Sequence, residues 1–230
     1  MLLEGYGPQI LNGTLETIKL SLLSLLVAFV MGLLGAAAKL FGGLLLRALG
    51  NLYTTLVRSV PDLVLMLLLF FSIQMGLNQI TDMIGLNMIR IDAFWAGALT
   101  IGIIYGAYFA ETFRGAFIGV PKGQLEAGKA YGMTSWGVFY RILFPQMMRI
   151  ALPGIGNNWL VVLKATALVS IIGLSDLVEI SQSAGQATGK VFLFIAVAGL
   201  IYLALTTVSN IVLYLLERKY SSGVKSTELF

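Results

Sequence analysis

The sequence predicts an all-α fold, a polytopic membrane helical bundle with five transmembrane helices. Of its 230 residues, 58% are hydrophobic and 11% are charged, whereas soluble domains carry about 25% charged residues. Several long runs contain no charged residue, and the basic residues gather between these runs. Because an open sheet edge would leave backbone groups unsatisfied in lipid, the apolar runs are predicted to be helices.

The positions of the spans follow from the uncharged runs, since a helix needs about 20 residues to cross the hydrocarbon core. The runs are Leu20–Ala38, Leu63–Ile80, Ala93–Ala110, Ile150–Leu163 continued by Ala165–Ser175, and Val191–Leu216. We expect the first span to extend toward the N-terminus past Lys19 and Glu16, and the second to begin near Tyr53. Only Lys164 interrupts the fourth span.

The loop charges predict the orientation of the bundle, because cytoplasmic loops of membrane proteins are enriched in Lys and Arg. The segments after the first, third and fifth spans hold Lys39, Arg47, Arg58, Arg114, Lys122, Lys129, Arg141, Arg149, Arg218, Lys219 and Lys225. The opposite side holds Arg90 and Lys190 beside Asp82, Asp92, Asp176 and Glu179. The N-terminus is therefore predicted to be periplasmic and the C-terminus cytoplasmic. Asp176 and Glu179 either attract a cationic ligand or belong to a solvated loop.

Several kinds of chemistry are excluded by the composition. The chain contains no Cys and no His, which excludes disulfides, structural zinc sites, and catalysis by either residue. Its nearest likeness to a phosphate-binding loop, Gly185–Lys190, is one residue too short and is followed by Val191 instead of Ser or Thr. We therefore predict no catalytic and no metal-binding residue, and any ATP hydrolysis must come from another polypeptide.

Residues 119–146 form a polar segment between the third and fourth predicted spans. The turn signal around Pro121 is expected to precede a short helix over residues 124–131. Gly132 is placed to stop this helix, because glycine readily adopts the left-handed conformation found after helix ends.

A second short helix is predicted within the same segment. Thr134 or Ser135 can cap its N-terminus, and it is expected to run to about Phe144, ahead of Pro145. Such a polar helix pair beside membrane spans implies a partner in the aqueous phase.

The first of these helices carries little side-chain bulk. Ala127, Gly128 and Ala130 are predicted to form a surface that lets the groove of another protein approach the backbone. Glu126 adds one charge near the N-terminus, where the helix dipole favours it. The alternative is an ordinary interfacial loop in which Glu126 pairs with Lys129 at i,i+3.

This segment resembles the EAA loop of ABC importer permeases, whose pattern is E-A-A-x3-G-x9-I-x-L-P. The matching positions are Glu126, Ala127, Gly132, Ile142 and Pro145. Gly128 replaces the second Ala and Phe144 replaces the Leu. Further segments are similar to the polar amino-acid subgroup, which includes histidine/lysine/arginine/ornithine importers: Arg58–Pro61, Tyr108–Gly115, Val120–Gln124 and Lys164–Leu168.

The resemblance implies a type I ABC importer permease fold and a single permease domain over residues 1–230, with a cytoplasmic coupling loop at 119–146. It implies a multi-pass subunit of the bacterial inner membrane that translocates polar, cationic amino acids. The implied partners are a second permease subunit (a paralogue or a second copy), two cytoplasmic ATPases and a periplasmic amino-acid-binding protein. ATP and Mg²⁺ would be used by the ATPases, and no cofactor by this chain. The implied ATPase-coupling residues are Glu126, Ala127, Gly128, Gly132, Ile142 and Pro145.

Polar residues within spans are candidates for function because burying them in lipid is costly. The candidates for the substrate pathway are Glu111, Asn157, Asn158, Lys164 and Thr166. Glu111 either faces the pathway or pairs with Arg114 at i,i+3. The fourth-span residues line the pathway or form hydrogen bonds between helices, and Lys164 is expected to face the bundle interior in both cases.

A structural ion pair is predicted at the start of the second span. Arg58 and Asp62 are separated by one helical turn and are expected to pair at i,i+4 near the cytoplasmic interface.

The alternative function is a stand-alone secondary amino-acid transporter or channel, with Glu111 and Lys164 as an ion relay. No inverted repeat is evident in the sequence, and such a carrier does not account for the EAA-like loop. A membrane enzyme would need a catalytic constellation, and the sequence shows no convincing pair of residues.

Overall fold

The computed structural model of the protein describes residues 3–85, 87 and 90–220. Lys225, one of the residues used to predict the orientation, lies outside the described residues. The described helices are α1 (Gly7–Phe41), α2 (Leu44–Ser59), α3 (Asp62–Met83), α4 (Ala93–Ile118), α5 (Lys122–Ala130), α6 (Ser135–Val138), α7 (Phe144–Ala165), α8 (Leu177–Thr188) and α9 (Val191–Tyr220). A π-helical segment (Phe139–Leu143) joins α6 to α7, and a 3₁₀ segment (Thr166–Ile172) follows α7.

Five segments of the described chain are long and apolar enough to cross a membrane, which confirms the predicted number of spans. They are α1, α3, α4, the continuous segment Ser135–Ile172, and α9. The first span extends past Glu16 and Lys19 as expected, and these two residues form an exposed ion pair at 2.7 Å between Nζ and Oε1.

The second span does not begin near Tyr53, so that prediction is wrong. Val60 and Pro61 have extended backbones, with ψ angles of 141° and 134°, and they separate α2 from α3. A residue before proline is driven out of the helical conformation by the proline ring, which explains the break. Tyr53 lies instead on α2, where its hydroxyl donates a hydrogen bond to the carbonyl of Ile103 on α4.

The core of the bundle is the contact between α1 and α4. A Cβ atom at Gly102 would lie 2.4 Å from Cγ1 of Val27, and one at Gly106 would lie 2.6 Å from Cβ of Met31. Glycine at both positions therefore permits the close approach of the two helices. Val27 faces Gly102 and Met31 faces Gly106, so the contacts advance in the same direction along both helices. Helices α1 and α4 are therefore parallel.

The helices differ greatly in how far the rest of the chain covers them. Most residues of the α4 span are buried, whereas few residues of the α3 and α9 spans are buried. The two poorly covered helices thus present broad apolar surfaces that can contact lipid or another membrane chain.

Helix α8 lies on the side of the bundle where the chain passes from the fourth span to the fifth. Asp176 caps it: Oδ1 accepts a hydrogen bond from the Glu179 N–H at 2.9 Å, and the side chain is fully buried. Burial raises the pKa of Asp176 to about 6. The N–H of Leu177 donates to Thr17 Oγ1 at 3.1 Å, which attaches α8 to α1. Asp176 is therefore a buried cap and not part of a solvated loop.

Candidate coupling loop and membrane-embedded polar residues

The first helix of the 119–146 segment ends as the sequence predicts. Gly132 has a φ of +79°, in the left-handed region. Its N–H donates to the carbonyl of Lys129 at 2.9 Å, and the N–H of Met133 donates to the carbonyl of Gly128 at 3.1 Å. These two bonds form a Schellman motif that satisfies carbonyls at the end of α5. The turn directs the chain back along α5.

The small residues of α5 lie on two different faces. Ala127 and Ala130 are exposed, but Gly128 is buried, so the prediction that all three form one open surface is wrong. A Cβ at Gly128 would lie 2.6 Å from Cδ1 of Ile142 and 3.2 Å from Cγ2 of Val138. Gly128, the small residue of the EAA-like pattern, thus packs against Ile142 of the same pattern. This contact lies where α5 meets residues 134–144, which we call the elbow.

The charged residues of α5 do not pair with each other. Glu126 is exposed and has no ion-pair partner among the described residues, which excludes the expected alternative of a pair with Lys129. Helix α5 begins at Lys122, earlier than predicted, which places Glu126 in its second turn. The helix dipole therefore acts on Glu126 less than the sequence suggested.

The elbow is a single helical segment that continues into the membrane. Thr134 caps it as predicted, with its Oγ1 accepting a hydrogen bond from the Gly137 N–H at 3.2 Å. The expectation that the helix ends ahead of Pro145 is wrong, since the chain continues through the π segment into α7. The N–H of Phe144 donates to the carbonyl of Phe139, five residues back. This wider turn makes room for the proline ring, which would otherwise clash with the preceding helical turn.

Glu111 lies in an ion-pair network that links three helices. Its carboxylate pairs with Arg114 at 3.1 Å, which confirms the i,i+3 pair, and also with the nearly buried Lys39 of α1. The Lys39 ammonium also donates to Thr54 Oγ1 of α2 at 2.8 Å. The sequence does not by itself predict the pair of Lys39 with Glu111, although both charges lie at the end of a span on the same side. A polar cavity of about 420 Å³ adjoins this network.

Arg58 and Asp62 do not form the predicted ion pair. The Asp62 Oδ2 accepts a hydrogen bond from the Tyr105 hydroxyl at 2.7 Å, and the Arg58 guanidinium lies over the Tyr108 ring, 5.5 Å from its centroid. The helical i,i+4 geometry is lost because the backbone is extended at Pro61. Both side chains therefore contact α4 instead of each other.

Two of the polar residues predicted for the fourth span hold helices together. The Asn158 Nδ2 donates to Thr112 Oγ1 of α4 at 3.1 Å. The Thr166 hydroxyl donates to the Leu163 carbonyl at 2.7 Å and lies 3.3 Å from the Tyr202 hydroxyl of α9. Asn158 and Thr166 are both buried, and these contacts give their polar groups partners within the apolar bundle.

The other two, Asn157 and Lys164, share a face of α7 as expected, and both are exposed. The prediction that Lys164 faces the bundle interior is therefore wrong for this chain by itself. No described residue forms an ion pair or a hydrogen bond with the Lys164 ammonium. It adjoins a mostly apolar cavity of about 280 Å³ that Tyr202 also lines. An exposed ammonium group within a membrane-spanning segment requires water, a ligand or another chain beside it.

Comparisons with known proteins agree along almost the whole chain. Residues 15–222 match the family described as binding-protein-dependent transport system inner membrane component. The histidine/lysine/arginine/ornithine transport system permease protein HisQ of Salmonella typhimurium is 55% identical over 228 residues, 99% of this chain and 100% of that protein. The octopine transport system permease protein OccQ of Rhizobium radiobacter is 37% identical over 223 residues, 96% of this chain and 94% of that protein.

A solved structure titled as an amino acid ABC transporter with histidines matches with a TM-score of 0.77 and 30% identity. The match covers 93% of this chain and 95% of that one. The fold is therefore that of type I ABC importer permeases.

These similarities decide against a stand-alone secondary transporter. In ABC transporters of the kind that these relatives belong to, the ATPase is carried by separate subunits, so this chain is not itself an enzyme. The chain belongs to the family of binding-protein-dependent transport system inner membrane components, and it is a membrane-spanning permease subunit of an ABC amino-acid importer.

Proposed function

We propose that this subunit forms half of a translocation path for cationic amino acids, namely arginine, lysine, histidine and ornithine. The 55% identity to a permease named for these four substrates supports this assignment. The N-terminus lies in the periplasm and the C-terminus in the cytoplasm, because basic residues dominate the loops on one side of the bundle. Residues 1–230 form a single permease domain.

The remaining parts of the importer are separate chains. A second permease subunit, either a paralogue or a second copy, packs beside this one, and the poorly covered helices α3 and α9 offer the surfaces for it. A periplasmic protein delivers the amino acid. Two cytoplasmic ATPases bind ATP and Mg²⁺ and supply the energy, since this chain has no phosphate-binding loop.

Residues 119–146 are the coupling loop of this subunit. The observation that carries this proposal is the continuity of the helical segment Ser135–Ile172, which runs from the elbow through the fourth span. The exposed Glu126 and Ala127 contact the ATPase, and the packing of Gly128 on Ile142 transmits the displacement of α5 to the elbow.

Two further residues of the loop set its shape. Gly132 fixes the turn after α5, and Pro145 lies just after the π segment where the elbow enters the fourth span. A push on α5 would thus tilt the span that carries Asn157 and Lys164.

The polar residues of the spans have two roles in this proposal. Asn157 and Lys164 line the pathway, where the Lys164 ammonium attracts the α-carboxylate of the amino acid. Glu111, Asn158 and Thr166 support the pathway from behind through their bonds to neighbouring helices.

A substrate panel tests the assignment. The complete importer is reconstituted in liposomes with its binding protein, and ATP hydrolysis is measured with arginine, lysine, histidine, ornithine and glutamate. We expect the four cationic amino acids to stimulate hydrolysis and to accumulate in the vesicles, and glutamate to do neither. Equal stimulation by glutamate would contradict the proposed substrate class.

A further inference from the structure

A groove separates the elbow and α5 from the ends of α1 and α4. Its volume is about 560 Å³. Leu33, Ala37 and Phe41 of α1 line one wall, and Phe117 of α4 extends it. Among the side chains that line the groove, only Lys129 and Ser135 are polar. The groove is thus an apolar channel with one positively charged side chain, the exposed Lys129, in its lining.

The groove has the depth of one membrane leaflet. From Leu33 to Phe41 it follows the last nine residues of α1, whose first and last Cα atoms lie about 12 Å apart along the helix axis. Half of the hydrocarbon core is about 15 Å thick. An acyl chain in the leaflet on the loop side would therefore lie along the whole groove.

The groove is continuous with a surface that faces lipid. Leu22, Leu26, Val30 and Leu33 are 53%, 61%, 48% and 46% exposed and form one stripe along α1. Helical spacing places these residues on one face, and the stripe leads into the groove at Leu33. An acyl chain can enter from the membrane without crossing a polar surface.

The positive charge in the lining has no counterion among the described residues. Lys129 lies one turn from Leu125, and both line the groove. No described residue pairs with the Lys129 ammonium, and Glu126 does not line the groove. Basic sites between membrane helices at the cytoplasmic surface bind anionic lipid headgroups.

We propose that this groove binds an acyl chain of an anionic phospholipid, with the lipid phosphate on the Lys129 ammonium. The lipid belongs to the cytoplasmic leaflet, which rests on the orientation proposed above. It fills the space between the spans and the coupling loop, so one wall of its site moves with α5. The exposed Glu126 and Ala127 remain free for the ATPase, because α5 presents Leu125 and Lys129 to the lipid.

Photolabelling in nanodiscs tests the proposal on the complete importer. The bilayer is phosphatidylethanolamine with a small fraction of phosphatidylglycerol that carries a diazirine in its acyl chain, and labelled peptides are identified by mass spectrometry. We expect labelling of residues 33–41 and 113–117 above that of the exposed face of α9. Lys129→Gln should lower this labelling about fivefold, the effect of one basic residue at an anionic membrane surface.

Two further variants distinguish the contribution of the Lys129 charge to lipid labelling from that of the apolar channel. Lys122→Gln removes a positive charge from the same helix at a position that does not line the groove, and labelling should stay at the level of the unmodified complex. Ala37→Trp fills the channel and should abolish labelling of the groove by phosphatidylglycerol and by a matching phosphatidylcholine probe.

Three results would overturn the proposal. The first is equal labelling of the groove in Lys129→Gln and in the unmodified complex. The second is labelling by the phosphatidylcholine probe equal to that by the phosphatidylglycerol probe. The third is cross-linking of a photoreactive residue at position 41 to an ATPase or to a second permease chain instead of lipid. Each variant is compared at equal yield of assembled complex. Transport is not the measured quantity, so a failure here leaves the proposed function untouched.

Discussion

At the scale of single residues, the contact between Gly128 and Ile142 gives the EAA-like pattern a physical meaning. The pattern requires a small residue and, farther along, an isoleucine, and these two positions meet where α5 packs on the elbow. The sequence predicted that this small residue faces a partner's groove, because periodicity alone does not reveal which face of a short helix is covered. Glu126, Ala127 and Ala130 are exposed and remain open to a partner.

Replacing Gly128 with Leu should uncouple ATP hydrolysis from amino-acid uptake. Added side-chain volume here forces α5 away from the elbow, and overpacking of this kind costs about 1–3 kcal/mol. Gly128→Ala should be tolerated, because the atom it meets is the movable end of the Ile142 side chain. The measurement is uptake and ATPase rate in proteoliposomes.

Gly123→Leu is the matched control, since Gly123 also lies on α5 and a Cβ there meets nothing within 4 Å. Unchanged uptake in Gly128→Leu, or equal loss in both leucine variants, would show that the contact does not transmit the motion.

At the scale of elements, hydropathy predicts that a span exists, but local backbone chemistry decides where it starts. The five apolar runs correspond to the five spans because a membrane helix must be long and uncharged. The predicted pair of Arg58 and Asp62 assumed one continuous helix, but the proline ring at position 61 drives the preceding residue out of the helical conformation. The π segment before Pro145 has no pattern in the sequence, so the continuity of the elbow with α7 was missed as well.

The cap of α8 makes the stability of the protein depend on pH. The pKa of Asp176 is raised to about 6 by burial, whereas it is about 3.9 in an unfolded chain. Between these values the unfolded state has lost the proton that the folded state keeps, so the free energy of unfolding falls as pH rises toward 6 and then levels off. The difference corresponds to about 3 kcal/mol.

Thermal unfolding of the purified importer from pH 4.5 to 7.5 measures this dependence. The unmodified complex should lose stability relative to Asp176→Asn as pH rises to about 6, because asparagine can still accept the capping hydrogen bond but does not ionise. Parallel pH profiles for the two proteins would show that Asp176 does not titrate in this range.

At the scale of the whole molecule, the chain is a frame built on α1 and α4 with open sides at α3 and α9. The sequence predicted Lys164 to face inward because a lone charge in a span needs a partner, but hydropathy does not show which side of a helix the rest of the chain leaves uncovered. In the folded chain Lys164 and Asn157 are exposed. We therefore expect the partner of Lys164 to come from the assembled importer.

The central claim is that this subunit has no energy source of its own and is driven through the loop around Glu126. Uptake of radiolabelled arginine into liposomes tests it most directly, with the permease subunits reconstituted either alone or with the ATPases, binding protein and Mg-ATP. The account predicts accumulation only in the complete, ATP-supplied system. Concentrative uptake by the permease subunits alone, without nucleotide, would contradict it.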